Sequence, residues 1–262
     1  MFDISHRPKK KLGQNFLIDE NIIRKLVSAL EITPKDYILE IGSGYGVITK
    51  HIVNAVQKVV AVELDRTLAS ELRRKFADIE DFELIEDDFQ KLPLQNVFRE
   101  YRHWKVFGNI PYHLTSSIIF KMIEHRHHVQ SLTLMIQKEV AQRIQTKPNS
   151  KLYGIISVYS QLYADVELLF TVSKNVFYPR PKVDSAVIQW NFLPQPRYYI
   201  DNEQILRQII RAMFGMRRKV LRNSLKPFLN NTKNIPIDLA KRPEQLTVEE
   251  IVTLSNCISH GN

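Results

Sequence analysis

Residues Gly108-Asn109-Ile110-Pro111-Tyr112-His113 follow directly on the apolar run Trp104 to Phe107, so they read as a strand that stops at an amide, a proline and an aromatic ring. Such a set can hold a flat nitrogen heterocycle by its exocyclic amine. An amine of that kind is a poor nucleophile, because its lone pair is delocalised into the ring, and it reacts only when a site positions it. The side-chain oxygen of Asn109 and a nearby backbone carbonyl can each accept one amine N–H, which aims the nitrogen lone pair at an electrophile. Pro111 fixes its own φ and biases Ile110 towards extended backbone, so the carbonyls are directed in advance. Tyr112 offers a ring face for stacking. Taken alone, the same residues also fit a strand-ending turn with a surface tyrosine.

A second constellation is Leu39-Glu40-Ile41-Gly42-Ser43-Gly44-Tyr45-Gly46, a glycine-rich passage from an apolar run into the next helical pattern. Glycines there let the backbone pass close to a ligand. Glu63 ends the following strand at about the spacing, roughly 20 residues, expected of a carboxylate that binds ribose hydroxyls in a doubly wound fold. The glycines run Gly-x-Gly-x-Gly rather than Gly-x-Gly-x-x-Gly, which favours a cofactor without a pyrophosphate. Asp88, after the third strand, can accept from the amino group of an adenine. An adenosine carrying a sulfonium, S-adenosylmethionine, satisfies all three features. Methyl transfer from a sulfonium needs in-line approach and a desolvated nucleophile far more than an acid or base. His125, His127 and His128 read as a solvent-facing helix end rather than a metal-ligand set, and no metal is expected.

The elements that must position these residues follow from periodicity. Ile22, Ile23, Leu26, Val27 and Leu30 recur at helical spacing behind a capping Asp19. Short apolar runs at Tyr37 to Ile41, Lys58 to Leu64, Phe82 to Ile85, Lys105 to Phe107 and Leu132 to Ile136 are separated by helix-length segments, the pattern of a mostly parallel sheet buried on both faces. After a helical stretch from Tyr153 to Leu162, two further strands, Asp165 to Phe170 and Ser185 to Phe192, are linked without a helix. They suggest an antiparallel pair at one edge of an α/β sheet of about seven strands. Pro194-Gln195-Pro196 then interrupts the chain, and beyond it the patterns are helical, at Ile205 to Phe214 and Arg217 to Leu229. The expected domains are therefore 1–190, carrying the sheet, and 191–262, a small all-helical unit.

The chain has 262 residues, a net charge of +9 and a single cysteine, Cys257. An intrachain disulfide and a cysteine-rich zinc site are excluded, and a reducing cytoplasm suits the composition. The basic lead Met1 to Lys11 lacks the apolar segment of a secretory signal, and no apolar run approaches the roughly 18 residues of a membrane span. Excess positive charge points to a polyanionic partner. The tail from residue 191 carries eleven Lys and Arg, Lys233 among them, against six Asp and Glu. Its densest stretch, Arg217-Arg218-Lys219-Val220-Leu221-Arg222, reads as phosphate-contacting, a solvated helix face being the alternative. No apolar interface stripe is evident, so a monomer is expected.

Together these motifs resemble the ribosomal RNA adenine dimethyltransferase family, of the type that modifies small-subunit RNA. The blocks that carry the likeness are Lys10 to Leu17 (Lys-Lys-Leu-Gly-Gln-Asn-Phe-Leu), the Glu40 to Gly46 loop, Gly108 to Tyr112, and Phe177-Tyr178-Pro179-Arg180-Pro181-Lys182-Val183-Asp184-Ser185-Ala186. Gln137 to Ala141 and the Phe214 to Asn223 segment agree, so the likeness runs from about residue 7 to about residue 226. It implies a seven-strand Rossmann-like methyltransferase sheet with a basic helical RNA-binding domain behind it. It implies S-adenosylmethionine as cofactor, and dimethylation of N6 on two adjacent adenosines near the 3′ end of small-subunit ribosomal RNA, late in assembly of the small ribosomal subunit. By matching positions, Asn15, Leu17, Gly42, Glu63, Asp88 and Asn109 line the cofactor site. Asn109 and Tyr112 hold a flipped adenine, with Phe177 as a second stacking surface. Arg180, Lys182, Arg217, Arg218, Lys219 and Arg222 face RNA phosphate. The rivals are a large-subunit adenine methyltransferase, which shares the Asn-x-Pro-Tyr element, an RNA-binding assembly factor with secondary catalysis, and an NAD-dependent oxidoreductase, which the glycine spacing disfavours.

Overall fold

The structure, a computed structural model, describes residues 8–98, 103–229 and 235–261. Met1 to Arg7 of the basic lead, and Lys233, lie outside the described residues. In chain order the elements are β1 (Phe16–Leu17), α1 (Glu20–Ala29), β2 (Tyr37–Ile41), α2 (Thr49–Ile52), β3 (Lys58–Glu63), α3 (Arg66–Lys75), β4 (Phe82–Glu86), α4 (Leu94–Val97) and β5 (Trp104–Asn109). They continue with α5 (Thr115–Glu124), β6 (Val129–Gln137), α6 (Lys138–Gln145), α7 (Ile155–Tyr163), β7 (Ala164–Val172), β8 (Phe177–Tyr178) and β9 (Ser185–Phe192). The last helices are α8 (Glu203–Gly215), α9 (Leu221–Ser224) and α10 (Val248–Gly261).

Seven strands form one sheet in the order β4-β3-β2-β5-β6-β9-β7. Residues such as Ile38, Leu39, Val59, Val60, Val106 and Phe107 are almost wholly buried, as expected of parallel strands covered on both faces. From β2 the chain builds outward in one direction through β3 and β4, then returns to add β5 on the other side of β2. That reversal leaves a crevice at the carboxyl ends of β2 and β5, where ligands bind in doubly wound sheets. β9 runs antiparallel to β6 and separates it from the edge strand β7, so the two strands joined without a helix lie together at one edge.

The helices are set by local chemistry as well. Asp19 caps α1, its side chain accepting from the backbone N of Asn21 and Ile22, and Ile23 and Leu26 carry the buried face. Asp65 caps α3 by accepting from Thr67 N. A second, two-stranded sheet was not expected: β1 pairs antiparallel with β8, Phe16 opposite Tyr178 and Leu17 opposite Phe177. Pieces this short carry no apolar periodicity of their own.

By its contacts the chain divides into two compact units. One runs to Ala141 and resumes over Val166–Phe192; the other holds Gln142–Asp165 together with the chain from Leu193. The break after Phe192 lies close to the expected boundary at residue 191. Residues 142–165, however, group with the helical unit, up to and including the first two residues of β7. Helix α7 explains this, because its buried Ile156, Val158 and Leu162 pack with α8 and α10, and Leu193 N and Arg197 N bond to Tyr163 O and Leu162 O. The expected helix from Arg217 to Leu229 is also broken. Helix α8 ends at Gly215, residues 216–218 form a turn, and only α9 and a 3-10 turn at Lys226–Phe228 follow. Backbone bonds from Leu221 N to Lys241 O and from Arg222 N to Leu239 O engage the amides that a continuous helix would need.

Candidate active site

A cleft of about 250 Å³ opens at the carboxyl ends of β2, β3 and β5. Its walls include Asn15, Leu17, Gly42, Glu63, Asp88, Asn109 and Tyr112, so one cavity gathers the whole expected cofactor set with two of the three expected catalytic residues.

The floor is built by the glycine loop. Gly42 and Gly44 have φ of +72° and +56°, values that residues with a Cβ seldom adopt. The turn aims Gly44 N at Glu63 Oε2, 2.8 Å away, while Asp65 N donates to Glu63 Oε1 at 2.9 Å. Glu63 is 6% exposed, and burial raises its carboxyl pKa against the lowering effect of those two N–H donors. Each oxygen keeps a further lone pair, so the carboxylate can still accept from a pair of hydroxyls. A Cβ placed on Gly42 would make only an ordinary contact, with Asn109 O at 3.8 Å, and the residue lines the cleft. Behind it, Glu40 is buried and accepts from Thr49 Oγ1 at 2.5 Å. Desolvation pushes its carboxyl up to about 8, against the opposing bonds from Thr49 and Ser43.

The roof is the segment before α1. Lys9 Nζ and Gln14 Nε2 reach the two oxygens of Asp65 at 2.6 and 3.0 Å, and Lys9 N donates to Gln14 Oε1 at 2.7 Å. Asp65 thus caps α3 and also fastens the segment carrying Asn15 and Leu17. Composition gave no sign of this clamp, whose only sequence trace is an acid two residues beyond Glu63. Also on the cleft wall, Asp88 Oδ1 accepts from Gln90 N at 2.9 Å, and its Oδ2 has no partner among the described residues.

Asn109 closes β5 beside this loop. Its Nδ2 donates to Asn15 O at 3.1 Å, which fixes the amide orientation and leaves Oδ1 without a partner among the described residues. Tyr112 shares a 2.7 Å hydrogen bond with Ser185 Oγ, and burial raises the pKa of its hydroxyl. Ser185 is a partner that the motifs contain but do not reveal, since the bond joins the turn after β5 to the start of β9, far away in sequence. Gly108 must be glycine for space: a Cβ would stand 2.7 Å from Ile41 O and 2.9 Å from Ile110 Cγ2.

Three expectations change. Phe177 is 4% exposed and packs with Leu17, Val172 and Val187 in the core, away from the cleft wall, so its face is not open for stacking as it sits. The reason is its pairing with Leu17 across the small sheet. Arg217 is used internally, with Nη2 donating to Ser150 O at 3.1 Å and Nε 3.8 Å from Glu244 Oε2. Arg218, Lys219 and Arg222 are exposed, as are Arg180 and Lys182 on the loop between β8 and β9. Of the histidines, His128 stacks on Phe98 with ring centres 5.7 Å apart, and His125 Nδ1 lies 2.9 Å from Lys121 O, so both pack locally; His127 alone of the three is exposed.

Residues 5–260 match a family model described as ribosomal RNA adenine dimethylase. A protein from Chlorobium phaeobacteroides (strain BS1) named ribosomal RNA small subunit methyltransferase A is 43% identical over 246 residues, which cover 94% of this chain and 92% of that one. A protein of the same name from Bacteroides thetaiotaomicron is 42% identical over 257 residues, 97% of this chain and 95% of its own. Among solved structures, a dimethyladenosine transferase from Plasmodium falciparum superposes with a TM-score of 0.74 at 24% identity, over 91% of this chain and 95% of that one. The 23S rRNA methyltransferase ErmE gives 0.66 at 22% identity, over 93% and 99%. At those identities the two structures establish a common fold.

Proposed function

The chain belongs to the ribosomal RNA adenine dimethylase family, and from that premise we propose that it dimethylates N6 of two adjacent adenosines near the 3′ end of small-subunit ribosomal RNA, with S-adenosylmethionine as methyl donor. The observation that carries this reading is the state of Asn109: its amide nitrogen is occupied by Asn15 O, and its oxygen remains available at a cleft whose floor suits an adenosyl cofactor.

When bound, S-adenosylmethionine supplies an electrophilic methyl group. The protein supplies position. Glu63 would accept from the ribose hydroxyls, Asp88 Oδ2 would accept from the adenine amine, and the cleft beside Gly42 would admit the amino-acid portion. Asn109 Oδ1 accepts one N–H of the target amine, and a main-chain carbonyl of the Asn109-Ile110-Pro111 turn accepts the other, so the nitrogen lone pair faces the cleft. Tyr112, braced by Ser185, presents its ring to an adenine turned out of the RNA stack. The exposed Arg180, Lys182, Arg218, Lys219 and Arg222 contact RNA phosphate, and the helical unit serves as an RNA-binding domain. The enzyme acts in the cytoplasm as a monomer on a late assembly state of the small subunit. No helix among the described residues is long and apolar enough to cross a membrane.

The test is methyl incorporation from labelled S-adenosylmethionine into small and large subunits from cells lacking this enzyme, with the modified base identified by mass spectrometry. Dimethyladenosine at two neighbouring positions of the small-subunit RNA is expected. Label confined to the large subunit would move the assignment to the large-subunit methyltransferases, and binding without transfer would make the protein an assembly factor.

A further inference from the structure

Lys121, on the second turn of α5, spends its whole ammonium group on the backbone of one turn. Its Nζ lies 2.6 Å from Phe89 O, 3.0 Å from Gln90 O and 2.7 Å from Leu92 O. An ammonium has three donors, so these carbonyls saturate it. The same nitrogen stands 5.1 Å from the centre of the Phe89 ring. A lysine on a helix surface ordinarily keeps its head in water; here the head fills the inside of a loop.

That loop starts at Asp88. Lys91 N and Leu92 N donate to Asp88 O at 2.8 and 3.1 Å, and Gln90 N donates to its carboxylate. A second tie leaves the same helix, from Gln90 Nε2 to Ser117 Oγ at 2.6 Å. At its other end α5 begins just after the Asn109 to Tyr112 motif, with Thr115 Oγ1 donating to Tyr112 O at 2.9 Å. One helix therefore grips both the turn that presents Asp88 and the strand end that presents Asn109.

We infer that Lys121 is a positioning residue for the adenine of the cofactor: it holds the Asp88 to Leu92 turn so that Asp88 Oδ2 meets the 6-amino group, and it registers that turn against the target-base motif. This rests on the reading of Asp88 given above. Without the ammonium, three carbonyl dipoles converge with nothing between them, so the turn must open and carry Asp88 with it.

The experiment is calorimetric binding of S-adenosylhomocysteine, and of its analogue with hydrogen in place of the 6-amino group, to wild type, Lys121→Met, Ser117→Ala, Asp88→Ala and the Lys121→Met/Asp88→Ala double variant. Ligand-free melting is recorded alongside. Lys121→Met should weaken S-adenosylhomocysteine roughly tenfold. It should leave the analogue's weaker binding nearly unchanged and add nothing in the Asp88→Ala background. Ser117→Ala should shift affinity the same way by a smaller factor, and it carries the test if Lys121→Met does not fold. Wild-type affinity in both α5 variants, or an equal loss for both ligands, overturns the proposal. Wild-type affinity in Asp88→Ala removes the Asp88 reading itself, and the Lys121 proposal with it.

Discussion

Asn109 already uses its amide nitrogen before any substrate arrives, and this is why its oxygen is a dependable acceptor. The amide cannot rotate without giving up Asn15 O, so in the role proposed for it the acceptor is oriented in advance and needs no reorganisation. Asn109→Ala should lower the methylation rate by about a hundredfold or more, the scale for losing one oriented group, with binding to small subunits retained. Single-turnover transfer and a filter-binding titration measure the two effects, and loss of both together would show that the role assigned to Asn109 is wrong. Glu40 makes a different kind of prediction. Burial pushes its folded carboxyl up to about 8, from an ordinary glutamate value of 4.5. The folded form therefore keeps a proton that the unfolded chain has released, and the protein should lose stability as pH rises from about 4.5 to about 8, at up to about 1.4 kcal/mol per pH unit. Glu40→Gln keeps an acceptor for Thr49 and cannot ionise. Its melting temperature should fall less between pH 6 and 8.5 than that of wild type, and parallel curves would rule out the buried protonated acid.

At the scale of elements, the site depends on how closely β2 and β5 approach. Ile41 pairs with Gly108 in parallel register, which sets the end of the glycine loop beside Asn109. Gly108→Ala puts a methyl group 2.7 Å from Ile41 O, a backbone atom that cannot swing aside. A loss of about 1–3 kcal/mol is expected from such overpacking. Urea midpoints give the stability, and cofactor affinity should fall with it because the strand ends are prised apart. The small β1 and β8 sheet joins the segment before α1 to the block that bears Arg180 and Lys182. It buries Phe177 as it does so.

For the whole molecule, a net charge of +9 has to be divided between cations that meet RNA and cations that hold the protein together. Arg218, Lys219, Arg222, Arg180 and Lys182 are exposed, whereas Arg217 is bonded within the helical unit. Alanine at any one of the five exposed positions should reduce the slope of log affinity for small-subunit RNA against log salt by about one phosphate contact. Arg217→Ala should leave that slope unchanged and lower the melting temperature. A salt titration by fluorescence anisotropy and a thermal scan separate the two classes, and an unchanged slope for all five would place the RNA elsewhere.

What could be read from the chain alone was whatever local chemistry encodes. The seven strands are apolar runs that need burial on both faces; the Asp19 cap, the Gly42 to Gly46 turn and the Asn109 to Tyr112 stop each follow from a few neighbouring residues. That Glu63 and Asp88 would share one cleft was legible because in this topology strand ends converge on one edge of the sheet. Tertiary structure decided the rest, because it brings together residues whose separation in sequence carries no period. Residues 142–165 join the helical unit since the apolar face of α7 finds its partners there. Arg217 turns inward because a carbonyl and a carboxylate lie within reach, and Phe177 is buried because β8 pairs with β1. The Lys9 and Gln14 clamp on Asp65 and the saturation of Lys121 by three carbonyls are likewise settled by chain path. A side chain's type states what it can bond; only the fold determines which partner stands at bonding distance.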